Sequence, residues 1–131
     1  MNPPRENALR ALRRMLANGP LTALPKRSDD QALLLQLAAS RLEPDRTYSE
    51  REVNEALEGW LGTFCSPCGI DHVTLRRLMV DSRLLARDKS GSAYRVNPDS
   101  IDVPKADPAQ VLAEIMFERE ARKRDRATGG R

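Results

Sequence analysis

Residues 71–83, DHVTLRRLMVDSR, decide how this chain reads. They spell a short basic helix. Asp71 can cap its first amides, and Ile70 and Leu75 stand at the spacing of a hydrophobic staple. At about 100° per residue, Leu75, Leu78, Met79 and Ser82 share one face and are expected in a core. Val73, Arg76, Arg77 and Val80 point the other way, with His72 and Thr74 on opposite shoulders. Valines among arginines do not suit a merely solvated surface. They make sense if that face meets bases, another protein or the chain's own tail.

Outward from this helix, residues 84–88 and 92–96 read as two short strands. Asp88-Lys89-Ser90-Gly91 offers the turn between them, with glycine where a positive φ is needed. A lone hairpin is marginal, and Arg46-Thr47-Tyr48 is the candidate third, edge strand. Arg87, Lys89 and Arg95 make this wing positive. On the other side, Ser49 and Glu52 form a capping box, and Tyr48 and Val53 a staple. Val53, Ala56, Leu57, Trp60 and Leu61 continue a helical stripe. Glu50, Glu52, Glu55 and Glu58 line the outside of that helix, which suits a scaffold behind a reading helix.

Further out, Asn2-Pro3-Pro4 starts a helix whose stripe is Ala8, Leu9, Leu12, Met15 and Leu16. Asn18-Gly19-Pro20 stops it. Arg10, Arg13 and Arg14 lie off the stripe and are expected to be solvated. Ser28 and Gln31 read as another capping box. Behind it Leu33, Leu34, Leu35, Leu37, Ala38 and Leu42 cover most of a helix, which places that helix at the hub of the core. Residues 97–106 read as a linker. Asp107-Pro108-Ala109-Gln110 opens a last helix with Val111, Leu112, Ile115, Met116 and Phe117, expected to fray from Glu118 onward to Gly129-Gly130. Its stripe suits docking on the domain or on a second copy.

The expected fold class is therefore mainly α with a small β-hairpin wing (α+β). It is a winged helix-turn-helix with extra N-terminal and C-terminal helices. Residues 1–45 form a helical pair on the core, 46–96 the winged unit, and 97–131 the linker and last helix. Composition agrees: 40 % hydrophobic but 4 % aromatic residues favour packed helices over a sheet sandwich. The net charge of +3 permits a nucleic-acid partner without demanding one. Its distribution says more. Residues 42–69 hold two Lys/Arg against six Asp/Glu, and residues 70–96 six against three. Affinity for duplex DNA rests on cations that displace condensed counterions, so this polarity is the one required. No signal peptide or membrane-spanning run is legible, and a cytoplasmic location without a membrane partner is expected.

Tyr48-Ser49-Glu50-Arg51-Glu52-Val53-Asn54, Thr74-Leu75-Arg76-Arg77 and Leu85-Ala86-Arg87-Asp88, with Gly91 and Tyr94, carry a resemblance over roughly residues 19–96. Together with GPLTALPKRSDDQALLLQLA they resemble a bacterial domain-of-unknown-function family, number two thousand and eighty-seven. Its members occur alone or joined to helix-turn-helix transcription regulators. The resemblance implies a small winged-helix-like domain with a regulatory role and supplies no catalytic residues. The chain departs from the pattern at Thr63-Phe64-Cys65-Ser66-Pro67-Cys68-Gly69, a longer passage into the basic helix.

Cys65, Cys68 and His72 have spacing that could hold zinc, yet a structural site needs four ligands and this is the chain's single histidine. Two reduced cysteines in a turn are the default, and no cofactor or metal is expected. No phosphate loop and no nucleophile beside a base is legible, so an enzyme is not expected. The expected function is DNA-binding transcription regulation. His72, Val73, Thr74, Arg76, Arg77, Val80 and Arg83, with Arg87, Lys89 and Arg95 on the wing, would contact double-stranded DNA. The alternative is a winged-helix protein–protein interaction module without DNA binding. Self-association through the C-terminal helix, giving a homodimer, stays open.

Overall fold

The computed structural model describes residues 3–101 and 106–129. Helices α1 (Pro3–Met15) and α2 (Ser28–Ala39) lead to strand β1 (Tyr48–Ser49) and helices α3 (Glu50–Leu61) and α4 (His72–Asp81). Strands β2 (Leu85–Arg87) and β3 (Ala93–Val96), a single 3-10 turn at Pro98–Ser100 and helix α5 (Pro108–Gly129) complete the order. The three strands form one antiparallel sheet in the order β1-β3-β2, with Tyr48 opposite Tyr94 and Leu85 opposite Val96. The architecture is thus mainly helical with a small sheet. Over α2 to β3 the order is helix, strand, two helices and hairpin. Asn2, Pro104 and Gly130 of the expected helix start, linker and tail lie outside the described residues.

Local signals explain most element starts. Ser49 Oγ accepts from the Glu52 N–H at 3.1 Å, and the Glu52 carboxylate accepts from the Ser49 N–H at 2.9 Å, so the capping box of α3 is complete. Asp71 accepts from the Val73 N–H at 3.0 Å and caps α4. The box expected at Ser28 does not form. Arg27 is the N-cap and gives no side-chain bond, while Gln31 turns outward to donate to the Pro25 carbonyl. The first turn of α2 is served instead by Asp29 and Asp30, acidic groups facing the positive end of the helix dipole.

The hub of the core is α2, as its pattern demands. Leu34, Leu37 and Ala38 are buried with Val53 and Leu57 of α3, Leu75 and Met79 of α4, and Tyr94 of β3. Each large aliphatic group so buried stabilises the fold by about 1.5–3 kcal/mol. Ser82, expected on that core face, is the exposed C-cap of α4. The edge strand starts two residues later than the expected Arg46-Thr47-Tyr48 and covers Tyr48–Ser49. Arg46 is drawn instead onto Glu52 at 2.6 Å and over the Tyr48 ring at 4.6 Å.

The long passage between α3 and α4 is sewn to the α1–α2 connector. The Leu21 N–H donates to Phe64, the Ser66 N–H to Leu21, and the Gly69 N–H to Thr22. A Cβ at residue 69 would strike the Thr22 carbonyl, so glycine is required for this approach.

Two outer helices complete the molecule. Val111 and Ile115 of α5 are buried as α5 packs on α1, beside Leu12 and Leu16. Docking on the chain's own domain is therefore realised. The charged stretch expected to fray after Glu118 stays helical to Gly129. It is rich in helix formers and places Glu118 four residues before Arg122 and Glu120 four before Arg124. The arginines of α1 are not simply solvated. Arg14 grips the buried Asp30 with two hydrogen bonds of 2.9 and 2.7 Å, and Arg13 reaches Glu118 at 2.6 Å. The Arg14 guanidinium holds the Asp30 carboxyl below its ordinary pKa, against the opposing effect of burial.

Candidate nucleic-acid interface

Helix α4 is held chiefly by α2, α3 and β2, while α5 lies against α1. Its exposed side carries Thr74 and Arg77, and its end is shaped by Arg83. The Arg83 N–H donates to Val80 and the Leu84 N–H to Met79, a Schellman closure in which residue 83 takes φ +64°. Glycine usually occupies that position because a side chain there is strained by roughly 1 kcal/mol. Here a cation is kept in it. The Asn97 amide donates to the Arg83 carbonyl at 3.1 Å and ties this corner to the end of β3.

The wing turn is closed by Asp88. Its carboxylate accepts from the Ser92 and Ala93 amides at 2.9 and 3.1 Å and from the Ser90 hydroxyl, while Gly91 supplies φ +75°. The Ala93 amide, more than any other group, keeps the Asp88 carboxyl below its usual pKa. A turn fixed in this way presents Arg87, Lys89 and Arg95 outward on a rigid hairpin.

The predicted residues divide into two groups. Thr74, Arg77, Arg83, Arg87, Lys89 and Arg95 are exposed, and these five cations form no ion pair among the described residues. Val73, Val80, His72 and Arg76 are only part-exposed, which corrects the expectation that this whole face is open. Val80 packs against the core. His72 leans toward Glu58 of α3, with its Nε2 3.7 Å from the carboxylate.

Arg76 departs furthest from its expected place, with a side chain only 11 % exposed. It donates to Asn54 Oδ1, lies 3.2 Å from the Glu50 carboxylate and stacks 5.8 Å from the Tyr94 ring centre. The helical wheel of α4 placed Arg76 outside because it contained no neighbours. The amino-terminal half of α3 and the face of β3 occupy that side. Glu50 and Asn54 are four residues apart and therefore share one side of α3, the signal by which this clamp could have been found. Arg76, Arg77, Arg87, Val80, Glu50 and Tyr94 border a hollow of about 350 Å³ between α4 and the wing, with Asp81 at its rim.

The zinc reading of Cys65, Cys68 and His72 is not realised as a ligand set. Among the described residues, no three His, Cys, Asp or Glu side chains gather as a metal would need. Cys65 is buried and Cys68 exposed. Burial, joined by contact with Cys68, pushes the Cys65 thiol up to about 12. No helix among the described residues is long and apolar enough to cross a membrane.

Residues 20–96 match the bacterial protein family DUF2087, described as an uncharacterized protein conserved in bacteria, and the chain belongs to that family. No curated protein and no solved structure matches it. The matched segment runs from the α1–α2 connector through β3, so α1 and α5 both lie outside it.

Proposed function

We propose that this member of the family is a DNA-binding transcription regulator that lays α4 in the major groove of a duplex and rests its wing on the backbone. One observation carries this reading: five exposed cations without ion-pair partners among the described residues project from α4, its Schellman corner and the hairpin. A polyanion supplies the counter-charge that the protein withholds there. Arg77 and Thr74 are the side chains for base edges, arginine for guanine and the threonine methyl for thymine. Arg83, Arg87, Lys89 and Arg95 serve phosphates. Arg76 is a positioning residue that fixes α4 on α3 and β3. Val80, one of the two valines that would have favoured a protein partner, packs against the core of the chain itself.

The test is a gel shift on mixed genomic fragments at low salt, followed by titration against salt. Binding should weaken with a slope of about 0.9 per phosphate contacted. Arg77→Ala should lose about 1–3 kcal/mol of specific affinity. Absence of a shift at low salt, or a shift indifferent to salt, would remove DNA as the partner and leave the protein-interaction module.

A further inference from the structure

We propose that Cys65 and Cys68 form an oxidant-responsive pair that hydrogen peroxide closes into a disulfide within the chain. Both are free thiols, Cys65 buried and Cys68 exposed. The passage that carries them is folded tightly against the α1–α2 connector. The amides of Ser66 and Gly69 donate to the carbonyls of Leu21 and Thr22, two consecutive residues, at 3.0 and 2.9 Å. Their neighbours Cys65 and Cys68 are thereby drawn together, and both converge on Ile70. The Cys68 thiol donates to the Ile70 carbonyl at 3.6 Å. The Cys65 sulfur accepts from the Ile70 amide and touches the Cys68 thiol.

The surroundings fix the order of reaction. A hollow of about 220 Å³ opens onto Cys68, with Glu58, Gly62, Ile70 and His72 among its walls, and it has room for hydrogen peroxide. Cys65 is buried, and that burial keeps its thiol protonated. Cys68 therefore meets the oxidant first. Its sulfur takes one peroxide oxygen, the O–O bond breaks, and the departing hydroxide leaves as water with the thiol proton, which gives a sulfenic acid. The Cys65 sulfur then attacks the Cys68 sulfur. The S–O bond breaks, and the hydroxyl leaves as a second water with the Cys65 proton. Two electrons pass in all from the sulfurs to the peroxide. Redox-sensor cysteines are often exposed in this way beside a resolving partner. The bridge also changes the footing of α4. A disulfide sulfur has no proton to donate, so Cys68 must release the Ile70 carbonyl, one residue before the Asp71 cap. The proposal requires no nucleic acid, and so it stands or falls apart from the DNA reading.

Treatment of the full reduced chain with a few equivalents of hydrogen peroxide tests it, read by intact mass and by thiol labelling after denaturation. The expected result is loss of both free thiols and of two hydrogen atoms. The chain should still run as a single copy of 14.7 kDa on a non-reducing gel, and dithiothreitol should return both thiols. Cys65→Ala should stop at the first step, with one oxygen on Cys68 that dimedone captures. Cys68→Ser should leave Cys65 as a thiol at the same dose. Should the buried substitution fail to fold, the parent chain and Cys68→Ser still decide. Two thiols that survive the dose would overturn the proposal. So would oxygen added to Cys68 while Cys65 keeps its thiol, a bridge between two chains, or oxidation of Cys65 in Cys68→Ser.

Discussion

On α1, Arg13 and Arg14 are each matched to a carboxylate on another helix, Glu118 and Asp30. On α4 and the wing, Arg77, Arg83, Arg87, Lys89 and Arg95 stand without such partners among the described residues, whereas Arg76 is engaged within the fold. Both regions look equally basic when residues are counted. What separates these arginines is whether the charge is already spent on the protein itself, and those of the second region keep their positive field for a ligand. The neighbours Arg76 and Arg77 condense the contrast into two consecutive positions.

The sharpest way to break this comparison is to exchange the fates of that pair. Arg77→Ala should leave thermal stability within about 0.5 kcal/mol of the parent while it removes most specific DNA affinity. Arg76→Ala should cost about 1–3 kcal/mol in a denaturant titration, because Asn54 loses its donor and the Tyr94 ring its cover. Equal stability losses at both positions would erase the distinction.

A second probe concerns Arg14. Asp30 has a depressed pKa in the fold, so its ion pair adds stability above the unfolded carboxyl range of about 3.9 and loses it as pH falls through the lower folded value. Arg14→Leu should lower Tm by several degrees near neutral pH, with the difference from the parent shrinking below about pH 4. A difference in Tm that is constant between pH 3 and pH 7 would show that the pair is idle.

The smallest effect belongs to Arg83. Arg83→Gly relieves a left-handed side chain and should raise stability by roughly 0.5–1 kcal/mol. It should also lower the salt slope of DNA binding by about one contact. A gain in stability without any change in slope would limit Arg83 to a structural corner.

These contrasts also mark what the sequence could convey. The capping box at Ser49-Glu52, the Asp71 cap and the wing turn were legible because all their partners lie within a few residues. The hub role of α2 was legible because a helix apolar nearly all round has only one place to go. Arg76 was misplaced because Glu50, Asn54 and Tyr94 come from two other elements, and a wheel drawn on one helix holds none of them. The box at Ser28 had the right letters but lost Gln31 to the Pro25 carbonyl. Nothing at Arg83 announced a left-handed residue, since the usual glycine is absent. The stripe of α5 promised a partner without naming one, and α1 became that partner through packing far along the chain.

The two helices that flank the family-matched segment touch each other, although nearly the whole domain separates them along the chain. Leu12 of α1 and Val111 and Ile115 of α5 are buried in the same core where these two helices meet. Each helix therefore shields part of the other, and removal of either should expose apolar surface on the one that remains.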